Sequence, residues 1–65
     1  MAVVTELEGF VRELLKVLEE KGELDLAKVE EEARARGLQP VIVVSRLETR
    51  GCKVDLAKGV VRYGE

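Results

Sequence analysis

Between Leu7 and Leu18 apolar residues recur at intervals of three and four. Leu7, Phe10, Val11, Leu14, Leu15 and Leu18 fall on one side of a helical wheel, and Glu6, Arg12, Glu13, Lys16 and Glu20 on the other. The spacing predicts a first helix from Thr5 to Lys21. Its start is marked by Thr5-Glu6-Leu7-Glu8, the pattern of a capping box in which Thr5 and Glu8 satisfy each other's backbone N–H groups. Its end is marked by Gly22, suited to the left-handed conformation that closes a helix. Gly9 weakens the early turns by about 1 kcal/mol against alanine, and a close approach of another backbone is the expected compensation. The apolar stripe is wide for so small a domain. Part of it, Phe10, Val11, Leu14 and Leu18, is therefore expected to face a second copy in a homodimer through this helix.

Glu23-Leu24-Asp25 can add a brief extended segment, with Asp25 as N-cap of a second helix from Leu26 to Arg36. Leu26, Val29 and Ala33 make its narrow buried seam, while Glu30, Glu31 and Glu32 form a solvated acidic face unsuited to phosphate. Gly37 is the expected C′ residue, followed by Leu38 as the apolar contact that accompanies such a cap. The next stretch, Pro40 to Arg50, is ambiguous by propensity, because Val41, Ile42, Val43 and Val44 are all β-branched. Periodicity favours a helix: Val43 and Leu47 are four apart, Pro40 suits the first helical position, and Gly51 stops the run. A hairpin follows, with Cys52, Val54 and Leu56 alternating with Lys53 and Asp55, a turn at Lys58-Gly59, and a second strand from Val60 to Tyr63. Two strands alone are marginal in water, so the hairpin must pack on the helices and can pair with the Glu23–Asp25 segment.

Composition narrows the function more than the fold. The 65 residues make one domain, 1–65, of α+β class, which buries only about 60% of its unfolded surface. The net charge is −2, yet residues 1–45 carry six basic and ten acidic side chains, and residues 46–65 five basic and three acidic. The basic end begins inside the third predicted helix. A single cysteine excludes an intrachain disulfide and histidine is absent, so Cys52 has no His to activate it and reads as a small apolar strand residue. No cofactor or metal is expected. The carboxylates lie on exposed helix faces away from any Ser, Lys or His constellation, so no catalytic residues and no enzyme are expected. No apolar run nears the ~18 residues of a membrane span and no signal-peptide pattern opens the chain, which predicts a soluble, cytoplasmic protein. The absence of Asn, the single Gln and the 37% charged residues lean toward a thermophilic source.

Three helices followed at once by a hairpin is the order of the winged helix-turn-helix, here α-(β)-α-α-β-β. The run VSRLETRGCKVDLAKGVVRYG resembles the third helix and wing of winged-helix domains of the MarR and ArsR types of transcription regulator, with Ser45, Leu47, Glu48, Gly51 and Gly59-Val60 at matching positions. The resemblance covers Gly22 to Tyr63. It departs from those families in a wing tip carrying only Lys58, and no added dimerisation helix is expected after the wing. None of their ligand or metal sites carries over.

What the resemblance implies is a small regulator reading double-stranded DNA with the third helix and the hairpin. Arg46 and Arg50 share a helix face, Lys53 opens the wing, and Lys58 and Arg62 lie in the hairpin. Ser45, Thr49 and Gln39 can add polar contacts. The alternative is a protein-interaction module without DNA binding, since the same scaffold also serves protein assemblies such as the membrane-remodelling ESCRT machinery. Glu48, Asp55 and the mildly acidic whole speak for that alternative.

Overall fold

A computed structural model of the chain describes residues 2–64, with the side chains of residues 5–64. Three helices and a small three-stranded antiparallel sheet follow one another as α1 (Ala2–Lys21), β1 (Glu23–Asp25), α2 (Leu26–Ala35), α3 (Pro40–Thr49), β2 (Cys52–Asp55) and β3 (Val60–Tyr63). The 20 residues of α1 span about 30 Å at 1.5 Å each, so this helix sets the 32 Å long axis of the molecule.

Helix α1 begins at Ala2, three residues before the expected start, so Thr5 lies inside the helix rather than at its N-cap. The Glu8 carboxylate is engaged elsewhere, as described below. Leu7, Phe10, Val11, Leu14 and Leu18 are buried on the inner face as their spacing predicts. They pack within one chain, against Val29, Ala33, Leu38, Val43, Leu47, Cys52 and Val61. Phe10, Val11, Leu14 and Leu18 are therefore core and cannot form the expected dimer surface: in a domain this small a stripe that wide is fully used in covering two further helices and a sheet. Nor does a close backbone neighbour explain Gly9, since a Cβ placed there would meet nothing within 4 Å.

Asp25 occupies the N-cap position of α2 but makes no side-chain capping bond. One backbone donor of the first turn is satisfied instead by the hairpin, where Leu26 N–H donates to the Gly59 carbonyl at 2.8 Å. At the other end Leu38 N–H donates to Ala33 C=O (2.8 Å) and Gly37 N–H to Arg34 C=O (3.0 Å), with Gly37 at φ 76°. These are the paired bonds of a Schellman motif, and Leu38, buried beside Ala33, is its apolar contact. The turn re-aims the chain into α3, whose Val43 and Leu47 are fully buried. Core burial at a spacing of four overrides the strand propensity of the valine-rich run.

The sheet has the order β1-β3-β2. Val61 lies at its centre, opposite Leu24 on one side and Val54 on the other, and this row faces the helices. On the outer face Arg62 stands between Glu23 and Lys53. Leu56, expected to continue the buried alternation of β2, is 79% exposed because the strand ends at Asp55 and the chain turns there. Gly59 N–H donates to Asp55 C=O at 2.8 Å to close that turn.

Candidate nucleic-acid interface

Arg46 and Arg50 lie one helical turn apart, and both reach across to α1. Arg46 Nη1 donates to Glu8 Oε2 at 3.0 Å and Arg50 Nη2 to Glu8 Oε1 at 3.1 Å. One carboxylate thus holds two guanidinium groups, each about half exposed, while Glu8 itself is about one-third exposed. The cluster keeps one net positive charge. Its ion pairs are solvent-screened and worth only about 0.2–1 kcal/mol each, so a phosphate oxygen can compete for the same donors.

The outward side of α3 is less polar than expected. Val41 is 76% exposed and Ile42 40%, beside the exposed Ser45, Glu48 and Thr49. Thr49 Oγ1 donates to Arg46 C=O at 2.7 Å, folding this hydroxyl back onto its own helix. Gln39 is exposed at the N-cap, with its carbonyl accepting from Ile42 and Val43 N–H. In the hairpin Lys53 lies opposite Arg62, and Arg62 Nη1 is 3.6 Å from Asp55 Oδ2. Asp55 Oδ1 also accepts the Lys58 backbone N–H at 3.2 Å, shaping the turn that carries Lys58.

The five cations are thus divided. Arg46 and Arg50 are gathered by Glu8 on the α1–α3 side, Lys53 and Arg62 stand beside Asp55 on the outer face of the sheet, and Lys58 is exposed in the turn. Four carboxylates, Glu8, Glu23, Glu48 and Asp55, are interspersed with them. Sequence reasoning did not foresee the role of Glu8, which sits 38 residues from Arg46. The exposure of Val41 and Ile42 had a signal: four consecutive apolar residues are wider than one helical stripe, so some of them must face out. A further pairing lies apart from these groups, where the Arg36 guanidinium stacks 4.5 Å over the Phe10 ring and reaches Glu13 at 3.4 Å.

Cys52 is buried at the start of β2, and desolvation pushes its thiol pKa up, which keeps it protonated and unreactive. Among the described residues no group of three or more His, Cys, Asp or Glu side chains is placed to hold a metal ion, and no helix is long and apolar enough to cross a membrane. No protein-family model matches the chain, and neither a curated protein nor a solved structure matches it.

Proposed function

We propose that the chain is a winged helix-turn-helix domain of a cytoplasmic transcriptional regulator, binding duplex DNA through α3 and the β2–β3 hairpin. The element order, the tight turn between α2 and α3, and the hairpin placed directly after α3 with β1 completing its sheet all support the winged-helix reading. The observation that carries DNA binding is the convergence of Arg46 and Arg50 on one oxyanion. Two guanidinium groups positioned to grip a carboxylate offer the same donors to a backbone phosphate, or singly to a guanine edge. Five cations limit the electrostatic part, so log Kd should change with log salt by no more than about 4.5. The test is a titration of the protein against random-sequence duplex at two salt concentrations. Replacing Arg46 and Arg50 together by Ala should abolish binding with the fold intact, because both side chains are half exposed. A double variant that binds like the parent would remove α3 from the interface.

A second reading has its own observation. Val41, Ile42 and Leu56 are exposed large apolar residues on α3 and the hairpin turn, the elements proposed to meet DNA. Apolar side chains set among balanced charges suit a protein surface better than a phosphate backbone. On that reading the domain is an interaction module in a larger assembly, and the same titration gives no salt-sensitive binding.

A further inference from the structure

Strand β2 is an edge of the sheet, and its free side carries a pattern that is complementary to itself. Gly64 N–H donates to Gly51 C=O at 3.3 Å, which sets the phase of the β2–β3 ladder. Inter-strand bonds repeat every second residue, so Lys53 and Asp55 use their backbone groups toward β3, while the partly exposed Val54 directs its own to the open side. We infer that this edge pairs with the β2 edge of a second copy, antiparallel about a two-fold axis at Val54, to make a continuous six-stranded sheet.

In that register Val54 exchanges both backbone hydrogen bonds with Val54 of the second copy. Lys53 stands opposite Asp55 and Asp55 opposite Lys53, so both new cross-strand contacts on the outer face join opposite charges. On the inner face Leu24, Val61 and Val54 already form one apolar row across the sheet, and the pairing prolongs it through the second copy. A shallow cavity of about 470 Å³ already runs along this edge, lined by Lys53, Val54, Asp55, Leu56 and Arg62.

The other edge offers no such fit. Self-pairing of β1 about Leu24 sets Glu23 against Asp25, and like charges placed opposite one another repel. Tyr63 N–H donates to Gly22 C=O and Leu26 N–H to Gly59 C=O, so the outward backbone groups of β1 are those of Glu23 and Asp25, and pairing them with Val54 of β2 would set the charged face of one sheet beside the apolar face of the other. Only the β2 edge meets itself with every charge matched. An edge of four residues is small beside the ~1,000 Å² of a stable specific interface, so the dimer is reversible and concentration-dependent.

Sedimentation equilibrium of the full chain from micromolar to millimolar concentration, without DNA, tests this. The expected result is a monomer–dimer equilibrium whose dissociation constant rises at least about tenfold in Lys53→Asp, which turns both cross-strand contacts like-charged. Lys53→Arg keeps the charge and leaves Asp55 in its turn, with Lys58 N–H and Arg62 as its partners, and should retain most of the association. Circular dichroism establishes that each variant is folded. Should a variant unfold, slowed amide exchange at Val54 of the parent protein with rising concentration reads the same contact. A parent monomeric throughout, with Val54 exchange independent of concentration, overturns the inference. So does a dimer that Lys53→Asp leaves unchanged or that Lys53→Arg weakens as much as Lys53→Asp does.

Discussion

Glu8 of α1 and Arg46 of α3 meet at 3.0 Å, and the other oxygen of the same carboxylate takes Arg50 at 3.1 Å. The contact ties the first helix to the helix proposed to meet DNA. It also sets the charge there, because one anion is held against two cations.

Glu8→Gln removes that anion while keeping the size of the side chain. On the DNA reading the affinity for duplex should rise several-fold and its salt dependence steepen, since both guanidinium groups become available to phosphate. Stability should fall by no more than about 1–2 kcal/mol, the sum expected for two partly exposed ion pairs. Fluorescence anisotropy with labelled duplex and urea unfolding read the two effects. Unchanged or weaker affinity would place Arg46 and Arg50 outside the contact.

Two glycines should respond in opposite directions to alanine. Gly9 lies within α1 with open space where a Cβ would stand, so Gly9→Ala should stabilise by about 0.5–1 kcal/mol. In a domain of this size that is a melting rise of about 2–8 °C. Gly37 has φ 76° in the Schellman turn, and Gly37→Ala should destabilise by about 1–2 kcal/mol through backbone strain, although space there is also open. Calorimetry of the two variants decides. Equal effects would mean that the left-handed turn is not held.

Cys52 links stability to alkaline pH. Burial raises its pKa in the folded chain, so the protonated thiol is favoured by folding. The folded state then holds its proton more tightly than the unfolded state. The stability this contributes is complete below the unfolded thiol pKa and is lost as pH climbs through the raised folded value. Urea unfolding from neutral to alkaline pH should show a decline that is shallower in Cys52→Ala, a variant less stable at neutral pH because it removes a buried side chain. At neutral pH a thiol reagent should modify native Cys52 much more slowly than unfolded chain. Rapid native modification would refute the burial argument.

Much of the architecture was legible in contiguous residues. The three- and four-residue spacing of Leu7, Phe10, Val11, Leu14 and Leu18, the Gly37-Leu38 cap and the alternation of Cys52 with Val54 each state a local period or a local turn, and each appears in the structure. The start of α1 was misread because Thr5-Glu6-Leu7-Glu8 satisfies the capping pattern equally well when it lies inside a helix. Leu56 was misread because alternation does not say where a strand stops.

Sequence alone determined most of the helical and extended segments and where glycine breaks them, because those preferences arise among neighbours within a few positions; in Pro40–Thr49, where local propensity favoured a strand, burial of Val43 and Leu47 decided for the helix. It also determined that one side of each helix must be covered. Tertiary structure decided what covers it: the broad stripe of α1 is consumed by α2, α3 and the sheet rather than by a second copy. It decided, too, that Glu8 gathers Arg46 and Arg50 while Asp55 takes Arg62. An ion pair between helices depends on their packing and relative rotation, and no spacing along the chain encodes a contact between residues 38 apart.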